Sequence, residues 1–207
     1  MWTVGFDLDM TLVDSRPGIA ATFRRLSALT GVPVDVDLVV GRLGPPLEWE
    51  LAHWYPAEQV PAAATRYRAL YPEHAIAPSP ALPGAAAALS AVRAAGGRVL
   101  VLTAKKGELA RLHLDHLGLA ADEVHGLAWA DGKAEVLRTT GVLAYVGDHV
   151  ADMAAARAAG VTGIGVTTGS GTADDLVAAG AAVTLQDLRA FPSLLARIRL
   201  GHAVTDG

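Results

Sequence analysis

Cysteine is absent from this 207-residue chain, which excludes disulfides, thiolate metal sites and a cysteine nucleophile and favours a reducing compartment. Lysine is almost as scarce. It occurs only at 105, 106 and 133, and the fourteen arginines that complete the 17 basic residues are scattered. No basic stripe suited to a phosphate backbone results, so nucleic acid is not an expected partner. No apolar run reaches membrane-spanning length. Asp7 and Asp9 interrupt the stretch where a signal peptide would place its hydrophobic region, and no basic segment precedes them. The expectation is a soluble, cytoplasmic protein with no membrane partner. Charged residues make up only 18% against 52% hydrophobic, with a net charge of −4. Much of the apolar content is alanine, which suits closely packed helices around a substantial core. A chain of this length holds one large domain, or a core domain carrying a smaller insertion.

Short β-like runs recur at Thr3 to Asp7, Arg98 to Thr103, Val124 to Trp129, Leu143 to Val146, Val161 to Val166 and Ala182 to Leu185. Between most of them lie helical patterns, at Ala85 to Ala95, Gly107 to Leu117, Lys133 to Thr139 and Val150 to Ala159. Each pattern stops near a glycine, as helices often do. This alternation predicts an α/β fold: a Rossmann-like parallel sheet with crossover helices on both faces. One interval breaks the rhythm. From Ser15 to about Pro80 there is no convincing strand, but helical stripes run from Ile19 to Leu29, Leu47 to Trp54 and Val60 to Tyr71. The simplest account is an all-helical cap, residues 15–82, inserted into a core formed by residues 1–14 and 83–207. Pro78, Pro80 and Pro83 mark a stiff return to the core. Gly201 to Gly207 reads as a frayed tail.

In a strand, side chains two apart share a side, so Asp7, Asp9 and Thr11 crowd one small volume at the end of the first run. Two carboxylates about 4 Å apart at an effective dielectric near 20 repel by roughly 4 kcal/mol, so one is protonated or a cation sits between them. Ligands of an open α/β sheet bind beyond the carboxyl ends of its strands. The residues found there are Asp7, Asp9 and Thr11, then Thr103, then Lys133 at a helix start, then Asp148 and Asp152. Each has a plainer explanation. Thr103 reads equally as a helix N-cap, Lys133 as a solvated helix residue, and Asp148 and Asp152 as acids favouring a helix N-terminus. Those explanations leave the joint placement at four successive strand ends unaccounted for. Hard oxygen ligands without cysteine or a histidine cluster favour Mg2+ over zinc.

The run Phe6-Asp7-Leu8-Asp9-Met10-Thr11-Leu12-Val13-Asp14-Ser15, with Val101-Leu102-Thr103-Ala104-Lys105, Lys133, and Gly147-Asp148 followed by Asp152, resembles the four motifs of the haloacid dehalogenase-like superfamily. The likeness is in particular to its phosphatases with an inserted helical cap, of the phosphoglycolate phosphatase-like kind. Ala155 to Val161, Gly169, Leu176 to Ala181 and the segment Gly44-Pro45-Pro46-Leu47 extend the resemblance over nearly the whole chain. Two departures stand out. Position 10, often glycine in that family, is methionine, so the loop is expected not to need positive φ. Lys133 lacks the frequent lysine-proline context, and Lys105 or Lys106 competes for its role. Lys133 is favoured because the other two read as residues of an exposed helix start.

The resemblance implies a Mg2+-dependent phosphatase acting on a small phosphorylated metabolite through an aspartyl phosphate on Asp7. Asp9 is then acid and base, its pKa raised by crowding, with its backbone carbonyl on the metal. Asp7, Asp148 and Asp152 supply further metal ligands, Asp152 directly or through water. Thr11, Thr103 and Lys133 would hold the phosphoryl oxygens, and Arg42, with Arg16 and His53 as alternatives, would reach down from the cap. Trp49 and Trp54 read as packing residues of cap helices, and His149 as pointing away from the metal motif. The absence of lysine from the cap disfavours a phosphonatase. Rival readings are a sugar phosphomutase, a haloacid dehalogenase, a non-catalytic receiver-like phosphoacceptor, and a binding protein that has lost turnover.

Overall fold

The computed structural model describes residues 2–199; the expected tail at Gly201 to Gly207 lies outside them. Six strands, β1 (Thr3–Phe6), β2 (Arg98–Leu102), β3 (Glu123–His125), β4 (Ala144–Gly147), β5 (Thr162–Val166) and β6 (Ala181–Leu185), form one sheet in the order β3-β2-β1-β4-β5-β6. Every pairing is parallel. The connections reverse direction at β1, where crossovers to β2 on one side and to β4 on the other open a crevice at the strands' carboxyl ends. Register brings Phe6 opposite Val146, and Asp7 N donates to the Val146 carbonyl at 2.8 Å. The acids that follow β1 and β4 are thereby neighbours.

Both faces of the sheet are covered. Val4, Phe6, Leu8, Val99 and Val101 pack against α5 (Ala85–Ala94), α6 (Gly107–Leu117) and the helix Phe191–Arg199. Leu100, Leu102 and Tyr145 pack against α7 (Asp131–Thr140) and α8 (Val150–Ala159). The interval without strands forms α1 (Arg16–Thr30), α2 (Val36–Gly41), α3 (Leu47–Leu51) and α4 (Val60–His74). These have an apolar cluster of their own, centred on Phe23, Leu26, Leu51, Tyr67 and Tyr71, which takes in Leu109 of α6. The two crossings between layers pair with each other: Val13 bridges Ala81, Asp14 N donates to the Pro80 carbonyl, and Leu82 N to the Leu12 carbonyl, both at 2.9 Å. A paired neck of this kind fixes the layer's position over the sheet's carboxyl edge.

Three local expectations are corrected. The third β-like run ends at His125 instead of Trp129, because Gly126 lies against the backbone of Gly107, so closely that a Cβ would meet Gly107 N at 2.1 Å. Leu127 then turns at φ 58°, and Leu127 N and Ala128 N bond to the Lys105 and Thr103 carbonyls rather than extending the strand. Met10 does have positive φ, 59°. The chain doubles back there, with Met10 N donating to the Val13 carbonyl and Leu12 N and Val13 N to that of Leu8. A left-handed non-glycine residue costs about 1–2 kcal/mol, offset by burying the Met10 side chain. Trp49 is exposed, not packed inside; its ring lies 4.4 Å from His53, while Leu51 takes the interior face of the short α3. Trp54 does pack on the helical cluster.

Candidate active site

Asp7 leaves the end of β1, Asp148 the end of β4, and Asp152 lies in the first turn of α8. Each offers an oxygen within 4.8 Å of the others'. Lys133, in the first turn of α7, places Nζ 2.9 Å from Asp7 Oδ1 and 2.6 Å from Asp152 Oδ1. Thr11 Oγ1 donates to Asp148 Oδ1 at 3.0 Å, so its hydroxyl proton is committed to a carboxylate rather than to a substrate oxygen. Asp152 also caps its helix, Oδ2 accepting from His149 N at 3.1 Å. Gly169 completes the wall where no side chain fits, since a Cβ would fall 1.7 Å from Asp148 Oδ2.

Charge balance defines what this cluster lacks. Three buried carboxylates face one ammonium, a deficit of two charges when all are ionised. Burial, reinforced by Asp152 and Asp9 and opposed by Lys133, pushes Asp7 up to about 7. Burial, with Asp7 and Asp152, likewise raises Asp148 well above the carboxylate range. A divalent ion with hard oxygen preference fits both the charge and the donor set. Metal binding displaces protons from such ligands. The gain in Tm on adding Mg2+ to the EDTA-treated protein is therefore expected to be large at pH 7.5 and small at pH 5, with apparent affinity falling about tenfold per pH unit below about 7. The raw Tm is a poorer readout. His113, pushed down to about 4 mainly by burial, makes the unfolded chain bind more protons between about pH 4 and 6.5, so stability rises with pH there, whereas Asp7 acts in the opposite sense. A Mg2+ response independent of pH contradicts the ligand assignment. Thr11→Val is expected to weaken Mg2+ activation about 10–100-fold with kcat at saturating Mg2+ preserved; an unchanged activation constant removes its positioning role.

Asp9 behaves otherwise than the crowding suggested. Its carboxylate stands apart from the trio of acids, with Lys105 Nζ 3.1 Å from Oδ1. Burial alone would raise it, but the Lys105 ammonium, helped by the Ser15 hydroxyl and His113, outweighs this and holds the carboxyl below its ordinary value. Lys105 is thus no exposed helix-start residue. Its side chain is largely buried and lies 4.6 Å over the ring of Tyr71, whose hydroxyl is 2.9 Å from His113 Nε2. Thr103, fully buried, accepts from Lys105 N at 3.2 Å, leaving its hydroxyl proton for the cavity. Asp7, Asp9, Thr103 and Lys133 form the floor of one cavity of about 810 Å³, counted to its open mouth, roofed by the helical layer.

Of the residues named in the helical layer, Arg42 reaches this cavity, but its guanidinium is bound to Glu50, Nε to Oε2 and Nη2 to Oε1, both at 2.8 Å. Arg16 is turned to Asp14 and His53 Nδ1 to the Trp49 carbonyl. His149 caps α8, accepting from Ala151 N, and its ring lies 5.3 Å from that of Trp129, tilted by 51°. Sequence reasoning missed Tyr145, whose hydroxyl donates to the Leu102 carbonyl and lies 3.3 Å from Asp152 Oδ1. A lone hydroxyl inside a buried strand was the available signal. Glu50, pairing across eight residues with Arg42, left none.

The sequence profile of the haloacid dehalogenase-like hydrolases matches residues 4–166. The chain belongs to that family. It is 34% identical over 183 residues to the tyrosine-protein kinase PtkA of Mycobacterium tuberculosis, covering 82% of this chain and 63% of that protein. It thus spans less than two thirds of PtkA's length. It is 31% identical over 196 residues to phosphoglycolate phosphatase of Caulobacter vibrioides, covering 81% of this chain and 79% of the relative. A haloacid dehalogenase-like hydrolase from Streptococcus pneumoniae superposes with a TM-score of 0.79 at 27% identity, covering 95% of this chain and 97% of that one. Among the described residues, no helix of this haloacid dehalogenase-like hydrolase is long and apolar enough to cross a membrane.

Proposed function

We propose that the chain is a Mg2+-dependent phosphatase that hydrolyses a small phosphate monoester through an aspartyl phosphate on Asp7, acting in the cytoplasm. In this reading residues 15–82 are the cap and residues 1–14 and 83–207 the catalytic core. The observation that carries it is the floor of the cavity. Asp7, whose Oδ1 accepts from Lys133 Nζ at 2.9 Å, lines the same cavity as Asp9, Thr103 and Lys133. Asp7, Asp148 and Asp152, with the Asp9 carbonyl, would hold Mg2+, which when bound would supply positive charge to offset the cluster's deficit and to act as a Lewis acid toward the phosphoryl oxygens.

Asp7 attacks phosphorus, forming its O–P bond as the bond to the leaving oxygen breaks. Asp9 gives that oxygen a proton. It then takes one from the water that cleaves the acyl phosphate, restoring the Asp7 carboxylate and releasing phosphate. Because Lys105 keeps Asp9 ionised in the free protein, Asp9 takes up its proton as the negative charge of the substrate phosphate enters the cavity. Lys133 and the Thr103 hydroxyl neutralise charge on the transferring oxygens. A phosphomutase would have to bind a polyol, and the largely apolar cavity wall offers its hydroxyls few partners.

Hydrolysis of p-nitrophenyl phosphate tests the reading. Turnover that EDTA abolishes and Mg2+ restores is the expected result. A stable phosphoenzyme with no turnover favours a phosphoacceptor or a transfer to protein, the activity named for PtkA, and rejects the phosphatase.

A further inference from the structure

The lining of the cavity carries basic residues, and among the described residues each is already matched by a carboxylate of this chain. Arg42 is gripped at two points by Glu50, which is itself buried and also accepts the Trp54 indole N–H at 2.7 Å. Arg68 Nη1 lies 2.7 Å from Glu48 Oε1, and Lys105 Nζ 3.1 Å from Asp9. Lys106, at the solvent-facing side, reaches Glu108 at 3.7 Å. Lys133 belongs to the phosphoryl site. Between these pairs the wall is Phe23, Val39, Leu47, Tyr67, Tyr71 and Leu109, with the Phe23 and Tyr67 rings 4.7 Å apart and those of Tyr67 and Tyr71 5.7 Å apart.

A second anionic group on the substrate has two places to go. It displaces a carboxylate of this chain, stranding Glu50 or Asp9 in a partly dry space at Arg42 or Lys105 and competing with the solvent-exposed Glu48 or Glu108 at Arg68 or Lys106, or it sits among apolar side chains with no counter-charge. An apolar leaving group does neither, and it covers aliphatic and aromatic surface that is otherwise wet. We propose that the preferred substrate carries its only charge on the phosphoryl group, the rest being an uncharged, largely apolar alkyl or aryl moiety, and that carboxylate-bearing esters such as phosphoglycolate are disfavoured. This rests on the phosphatase reading and refines it.

The test compares alkyl esters of similar leaving-group reactivity on the Mg2+-loaded full chain. kcat/KM for 2-phenylethyl phosphate is expected to exceed that for 2-phosphoglycolate by at least about tenfold. Calorimetric binding of their unreactive analogues, 3-phenylpropylphosphonate and 3-phosphonopropionate, is expected to show the same order. A ratio below ten, or the reverse order, in the presence of Mg2+-dependent turnover of p-nitrophenyl phosphate overturns the substrate class and leaves the phosphatase standing. No turnover of any ester sinks both. Glu50→Gln, which loosens the grip on Arg42, is expected to move the kcat/KM ratio at least about threefold toward 2-phosphoglycolate; a shift the other way overturns the pairing on which the inference is built.

Discussion

Asp7→Asn is expected to lower kcat for phosphate-monoester hydrolysis by about 10⁴-fold or more and to leave the circular dichroism spectrum unchanged. The amide keeps an oxygen that accepts from Lys133 but has no anionic lone pair with which to open the P–O bond. The same change relieves the metal-free fold. Asp7 sits among buried acids, and a carboxyl pushed up to about 7 from 3.8 is one whose ionised form the native state disfavours at neutral pH. Thus Tm in EDTA at pH 7.5 is expected to be equal to or above that of the parent, while the Mg2+-induced gain shrinks with the loss of a ligand. Rapid acid quench during single turnover supplies the direct readout: phosphoenzyme in the parent and none in the variant. Turnover within tenfold of the parent assigns the nucleophile elsewhere.

Lys133→Ala is expected to reduce kcat/KM by roughly 10²–10³-fold and to destabilise the metal-free protein by about 3–5 kcal/mol. Its ammonium is buried and bonds Asp7 and Asp152 together, so removal leaves two carboxylates facing each other without a cation. Lys105→Ala is expected to cost less than about tenfold in kcat/KM and to displace the pH profile, because Lys105 acts on Asp9 and not on the phosphoryl oxygens. With its ammonium gone, burial dominates and the Asp9 pKa rises. Steady-state kinetics of both variants from pH 5 to 9 decides between them. The opposite ranking gives the phosphoryl grip to Lys105.

The strands, the crossover helices and the helical layer were legible because their signals are local. Apolar runs ended by glycine mark strands and helices whatever the rest of the chain does, and strand ends in a parallel sheet meet at one edge. Asp7, Thr103, Lys133 and Asp148 were found on that ground. The errors arose where backbone contacts between distant segments override local preference. Gly126 against Gly107 cuts the third strand short, and the hydrogen bonds of the loop after Leu8 force Met10 into the left-handed region. Asp9 was misjudged for a related reason. Alternation in a strand places it beside Asp7, but the chain leaves the strand at Phe6 and carries Asp9 to Lys105.

Sequence alone determined the layered α/β plan and the identity of the acids and lysines at the strand ends, since periodicity and strand order depend on residues near one another in the chain. Only the tertiary structure decided which cation each acid faces: Lys133 joins Asp7 to Asp152, Lys105 takes Asp9, and Glu50 takes Arg42. Pairing energies depend on distances of a few ångströms between groups up to 126 positions apart, and those distances exist only once the sheet has closed and the helical layer has settled over its edge.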